Sequence, residues 1–437
     1  MFRLKCASQR YDWGRMGKDS IVYQLQVASQ NPDSFYVDLP YAELWMGTHP
    51  SGPSCLWNHP DIALQTYIQD NPACLGKPCL QYFGRNLPFL FKVLSVAKAL
   101  SIQAHPDKKM AARLHAEQPD LYKDANHKPE MAIALTNFEA LLGFRPLHQI
   151  LAFIQAFPEL TELTTLELPS IEEKGEVQPP SIKQLYSNLM RSPPEKIEST
   201  IKSLVNRFTT GLKSVCDPPL SIPGVDPQEE DVQALVDLFL RLTQAFPGDV
   251  GCLSVFFLNY IRLKSGEAIF LKANTPHAYL SGDCVECMAN SDNVVRAGLT
   301  PKFKDVERLL EMLDYTSAVS SPTDSLRFSA TQPTPTPEGV SMRSFIPPVS
   351  EFAVDEIQFD TESRGFSLPA VPTASILLIL HGHGIVTCPS ADGISLQEAK
   401  FGPGFVYFVP ADIIVNLITE ADRRGSLHAF RAYVNKQ

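Results

Sequence analysis

The chain has 437 residues, of which 44% are hydrophobic and 20% charged, with a formal net charge of −10. That length exceeds what one ordinary core serves and predicts two or three domains; the composition excludes a disordered chain, and the acidic balance argues against nucleic acid as the main partner. No stretch is long and apolar enough to span a bilayer, and Met1 to Cys6 lacks the apolar core of a secretory signal, so a cytoplasmic location with no membrane partner is expected.

From the start to about Pro146, short apolar runs alternate with Gly, Pro, Asn and Asp, which predicts strands, among them Pro88 to Leu94 and Ala99 to His105. A short helix is predicted over Lys108 to Glu117. From about Leu147 to Pro247 the period changes: Ile197, Ile201, Leu204, Val205 and Phe208 recur at helical spacing, as do Val232, Leu235, Val236, Phe239 and Phe246. Proline joints, Ser192-Pro193-Pro194 and Asp217-Pro218-Pro219, punctuate this block, with Pro194 placed to start a helix. Strand texture returns from Cys252 to about Val295, followed by a helix from Asp305 to Leu313. The stretch Ser317 to Gly339 is poor in apolar residues and predicts a linker. The remainder, with Ala374 to Leu380 and Gly404 to Val409, is again β.

Nine cysteines scattered from Cys6 to Cys388 do not form a disulfide framework and predict reduced thiols. Cys284 and Cys287 lie three apart on a predicted strand and so face opposite ways, which argues against a metal or redox pair. His381 and His383 have no third ligand nearby and predict a turn or surface role. Gly266-Glu267, a strand, then Thr275-Pro276-His277 resembles the second motif of a cupin jelly roll. Gly402-Pro403-Gly404, a strand, then Val409-Pro410-Ala411 repeats the rhythm, but Asp412-Ile413-Ile414 stands where a metal-binding histidine would be. The expected fold class is mostly β with a helical insertion, two cupin-like jelly rolls plus a small α-helical domain. Its expected division is a catalytic cupin domain at 1–146 and 251–325, a helical insertion at 147–250, and a metal-free jelly roll at 326–437.

Gln103 and His105 lie two apart at the end of a predicted strand, on one face. With Glu130 and His277 they make a plausible zinc shell with a position left for substrate or water, although spacing alone does not show that they converge. The segments Tyr122-x-Asp124-x-Asn126-His127-Lys128-Pro129-Glu130 and His277-Ala278-Tyr279-Leu280-x-Gly282-x-x-Val285-Glu286-x-Met288-Ala289-x-Ser291-Asp292-Asn293-x-Val295-Arg296-Ala297-Gly298-x-Thr300-Pro301-Lys302 resemble two signatures of the type I mannose-6-phosphate isomerases. Ser101 to Lys108 and Ala42 to Pro50 resemble further family segments, and the likeness runs the length of the chain.

The resemblance implies an aldose–ketose isomerase that interconverts mannose 6-phosphate and fructose 6-phosphate through an enediol(ate) and feeds mannose into nucleotide-sugar and glycosylation pathways. It implies one Zn2+ per chain on Gln103, His105, Glu130 and His277, and a catalytic Arg296. It also implies a pocket lined by Trp13, Lys92, Ser101, Lys128, Tyr279, Glu286, Asp292 and Lys302. A shell with a single carboxylate stays net positive, which favours an anionic intermediate. Arg296, always charged and able to donate two parallel hydrogen bonds, is assigned to the enediolate, with phosphate contact as its other role. For the base, Lys128 is preferred over His127 and over a zinc-bound water. Phosphate capture is expected from Lys92 and Lys302, with Ser101 as a hydroxyl donor. The other readings are a related sugar phosphate such as glucose 6-phosphate as substrate, and a silent sugar-binding double cupin. The partner expected is a small sugar phosphate, and the chain is expected to be a monomer.

Overall fold

The computed structural model describes residues 1–164, 180–211, 222–223, 225, 231–317, 326–331, 335–363, 365–389, 396–419 and 426–435. The fold is mostly β, with two jelly-roll units and a helical block between the halves of the first. The predicted helices over Lys108–Glu117, Pro194–Asn206 and Val232–Ala245 are present. Each has a local reason to start where it does. Asp107 accepts the Met110 N–H, Asp231 accepts the Ala234 N–H, and Pro194 sits in the first turn, where its missing N–H costs nothing. The Asp217-Pro218-Pro219 joint lies outside the described residues.

The strand His277–Ala289 organises the first β unit. One edge pairs with Phe89–Val96 over its whole second half, from Gly282↔Val96 to Ala289↔Phe89. Its other edge changes partner midway, from Phe138–Phe144 before Gly282 to Glu130–Ala134 after it. Gly282 has φ +108°, and a Cβ there would lie 2.4 Å from the Asn137 carbonyl oxygen. Only glycine fits this bend, which curls the sheet and brings the two ends of the strand around one cavity.

Two sequence expectations need correction. Cys252 does not begin a strand: Val250–Phe256 forms a 3-10 helix, started by the Asp249 carboxylate on the Gly251 N–H, and the strand begins at Leu258. An apolar run buried on all sides reads the same in either conformation. The predicted linker is also not wholly unstructured, since Arg327–Phe328 pairs with Ala268–Ile269; residues 318–325 and 332–334 of it lie outside the described residues.

The second β unit is a composite. Its largest sheet takes in Phe2–Lys5, Cys55–Leu56 and His59–Ala63 beside strands from 340–433. A shared core that includes Leu4, Phe89, Val285, Phe352, Ile376 and Phe430 seals the two β units together. His381 and His383 are exposed at a turn, and Asp412 takes φ +61° in another, as short polar residues can. Every described cysteine is a free thiol. No helix of the described residues is long and apolar enough to cross a membrane.

Candidate metal centre

Gln103 lies on the short strand Ile102–Ala104, between His277 on one side and Arg296 on the other. Glu130 begins its own strand, opposite Met288. Hydrogen bonds close the loops at this end. Asn274, at φ +64°, donates its N–H to the His105 carbonyl at 2.7 Å, and its side chain exchanges hydrogen bonds with Asp107. The result is that His105, Glu130 and His277, all 1–2% exposed, turn their donor atoms to one point, with those atoms within 4.8 Å of one another.

The histidine tautomers follow from their partners. His105 Nδ1 lies 2.6 Å from the Asn293 carbonyl and His277 Nδ1 2.9 Å from the Thr275 carbonyl. Each Nδ1 therefore carries the proton, and each Nε2 presents a lone pair. Both Nε2 atoms are buried and have no hydrogen-bond partner; the Glu130 oxygens stand 3.4 and 3.5 Å from them. Two bare, buried lone pairs facing a carboxylate would be costly without an acceptor for them, and a divalent cation is such an acceptor. Burial pushes His105 down to about 4, despite Glu130, so the ring is neutral and available at neutral pH. Burial opposes ionisation of Glu130 as well, but Lys128 and His105 outweigh it and hold the carboxyl well below its usual range.

A cavity of about 680 Å³ opens from this point. Of the residues singled out in the sequence, Trp13, Lys92, Ser101, Gln103, Lys128, Glu130, Tyr279, Glu286, Asp292, Arg296 and Lys302 all line it. His105 and His277 do not line it; they are buried beside Glu130, which does. Lys128 Nζ lies 3.2 Å from Glu130. His127 points away, with its Nε2 2.8 Å from Glu351 in the C-terminal part of the chain.

Lys92 is not a free cation. It donates to Glu286 at 3.0 Å, lies 3.5 Å from Glu43, and stands over the Trp45 ring. Burial opposes its charge, yet the two carboxylates raise its pKa. Glu286 also accepts from the Tyr279 hydroxyl at 2.8 Å, and burial raises its pKa despite Lys92. Asp292 faces His49 at 3.4 Å, which holds its carboxyl below the usual range. Arg296 differs from all of these. Its side chain makes no ion pair or hydrogen bond with any described residue, and burial lowers its pKa. Asp292 and Glu286, its conceivable structural partners, are engaged elsewhere.

Sequence reasoning missed Glu43, Trp45 and His49 as wall residues, although they lie in the Ala42 to Pro50 segment. It also gave no role to Asp124 and Asn293. The Asn293 amide spans the Asp124 and Asn126 carbonyls at 2.7 and 3.0 Å, and Asp124 accepts from Ser291 and from the Asp292 N–H. This lattice fixes the carbonyl that orients His105.

A model of the type I phosphomannose isomerase catalytic domain matches residues 1–147, and a model of that family's helical insertion domain matches residues 160–258. The chain is 83% identical over 437 residues to a probable mannose-6-phosphate isomerase of Echinococcus multilocularis, with all of both chains covered. It is 41% identical over 445 residues to mannose-6-phosphate isomerase 1 of Arabidopsis thaliana, covering 100% of this chain and 94% of the relative. Among solved structures it is similar to a mannose 6-phosphate isomerase bound with zinc and yttrium. That likeness has 29% identity and a TM-score of 0.75, over 99% of this chain and 98% of the other.

Proposed function

The chain belongs to the type I phosphomannose isomerase family, and from that membership we propose that it interconverts D-mannose 6-phosphate and D-fructose 6-phosphate through an enediol(ate), with one zinc ion held by Gln103, His105, Glu130 and His277. The pair of unpartnered, buried Nε2 atoms facing Glu130 carries the metal assignment, and a solved relative is named as binding zinc. Zinc bound there would act as a Lewis acid toward substrate oxygens.

The chain's own groups divide the remaining work. Lys128, on the cavity wall, is assigned the proton transfer from C2 to C1; His127, turned to Glu351, is out of reach. Arg296 has no carboxylate competing for it and donates to the oxygens that gain negative charge. Lys302 and Ser101, with Lys98 nearby on the wall, receive the phosphate. Lys92 has its charge taken up by Glu43 and Glu286, so its part is to hold those carboxylates in place. Trp13, Tyr279, Glu286 and Asp292 border the sugar.

The same reading divides the chain into catalytic parts at 1–146 and 251–325, a helical insertion at 147–250 and a metal-free cupin-like jelly roll at 326–437. The chain is taken as a monomer, and the free thiols among the described residues support a reducing, cytoplasmic setting. The product pool would serve nucleotide-sugar synthesis. Turnover of mannose 6-phosphate in D2O tests the chemistry. Deuterium at C1 of the fructose 6-phosphate supports proton transfer through an enediol, and sugar phosphates still free of carbon-bound deuterium after many equilibrium turnovers would point to hydride transfer instead.

A further inference from the structure

The helical block reaches the cavity through one turn. After the helix Val232–Ala245, Phe246 lines the cavity and stacks on Lys98, whose Nζ lies 4.8 Å from the ring centroid. Asp249 follows, its side chain 11% exposed. One Asp249 oxygen accepts the Gly251 N–H at 2.7 Å, which is all that starting the 3-10 helix requires. The carboxylate goes further. It accepts the Leu299 N–H at 2.7 Å and the Thr300 N–H at 3.4 Å, and it pairs with Lys304 Nζ at 3.2 Å.

Those donors belong to the segment that follows Arg296 and forms the cavity edge: Leu299, Thr300, Pro301 and Lys302 all line it. The edge is held in a conformation that the chain does not favour by itself. Leu299 has φ +54°, a region that side chains other than glycine and asparagine rarely adopt. Gly298 lies so close to Gly251 that a Cβ on it would meet the Gly251 Cα at 2.5 Å. Held backbones of this kind persist where surrounding contacts over-determine them, and they cluster at binding sites. Charge-assisted hydrogen bonds donated to a buried carboxylate are the strongest contacts available to do so here.

We propose that Asp249 is a positioning residue for substrate recognition: its carboxylate fixes the Leu299–Lys302 edge so that Thr300 and Lys302 face the cavity and meet the phosphate of the substrate. Through it, the end of the helical insertion sets the affinity of a pocket whose metal ligands all lie outside the insertion. The inference rests on the phosphate assignment made above.

The test is Asp249→Asn in the full-length, zinc-loaded chain. The amide keeps the volume but replaces one acceptor with an N–H donor facing N–H donors. KM for mannose 6-phosphate is expected to rise about tenfold, the size of a weakened charge-assisted contact, with kcat and metal content nearly unchanged. Competitive inhibition by inorganic phosphate should weaken in parallel. A lesion that was merely structural would lower the unfolding temperature and active fraction while leaving KM and phosphate inhibition alone. Unchanged KM and phosphate inhibition in the folded variant overturn the proposal. If that variant does not fold, Lys304→Gln, which removes only a partly exposed partner of Asp249, should still raise KM by about twofold to threefold, and no change there overturns it equally. Lys302→Ala separates the two readings. Unchanged phosphate inhibition in it removes the phosphate assignment, while the KM of Asp249→Asn still decides whether Asp249 acts on the cavity edge.

Discussion

Replacing Arg296 by alanine removes the one half-buried cation of the cavity that no described carboxylate neutralises. A unit charge at about 4 Å from an oxyanion is worth about 4 kcal/mol at an effective dielectric near 20. Loss of a single preorganised donor to a developing negative charge costs about 2.7–4 kcal/mol in other enzymes. Both routes give a fall of about 10²–10³ in kcat. The fold should tolerate the change, because Arg296 ties no other side chain in place. Zinc should remain, because Arg296 is a strand neighbour of Gln103 rather than a ligand. Arg296→Lys keeps the charge but not the planar pair of donors, and should fall between parent and alanine variant. Initial rates of fructose 6-phosphate formation, with zinc per chain and thermal unfolding measured on the same samples, make the comparison. A folded, zinc-loaded Arg296→Ala variant within about tenfold of the parent kcat would refute the reasoning.

Three further outcomes follow from the geometry. Asn293→Ala removes the amide that spans the Asp124 and Asn126 carbonyls and so loosens the carbonyl that orients His105; zinc affinity should fall about 10–100-fold, read by competition with a chelating dye, with little change in unfolding temperature of the zinc-saturated chain. Gly282→Ala places a Cβ against the Asn137 carbonyl at a positive φ, and should cost about 2–4 kcal/mol in denaturant unfolding. Glu351 is held down to about 2, burial being outweighed by His127 and Lys108. A depressed carboxylate stabilises the fold above its unfolded value near 4.5, and that contribution disappears as the pH falls through the window from about 4.5 to 2. The stability gap between parent and Glu351→Gln should therefore close across that window in acid-unfolding curves, and a gap independent of pH would show that the His127 contact is not what depresses Glu351.

Legibility from sequence followed the range of the interaction. The helix Lys108–Glu117 and the strand Phe89–Val96 are specified by neighbours in the chain, through the Asp107 cap and a run apolar but for Lys92 and Ser95, and both were readable. Gln103 and His105 could be placed on one face because a strand repeats every second residue. The convergence of Glu130 and His277 on them could not be read from spacing, since it depends on how the sheet curls at Gly282; the family signatures stood in for that geometry. Lys92 shows the limit most clearly. By composition it is a cation in a motif, but Glu43 and Glu286 flank it across two strand pairings, and only the register Trp45↔Lys92↔Glu286 reveals that its charge is taken. Asp249 was equally silent, because one aspartate after Pro247-Gly248 reads as a turn until the segment fifty residues later is seen to close on it.

Isomerisation is proposed to depend on a zinc ion held by the His105, Glu130 and His277 donors with Gln103. The direct measurement is zinc per chain and the rate of mannose 6-phosphate conversion on one preparation as isolated, after exhaustive chelation, and after zinc is restored. One zinc per chain, loss of activity with its removal while the chain stays folded, and recovery in proportion to the zinc regained are expected. Full activity in the folded, metal-free chain would contradict that dependence.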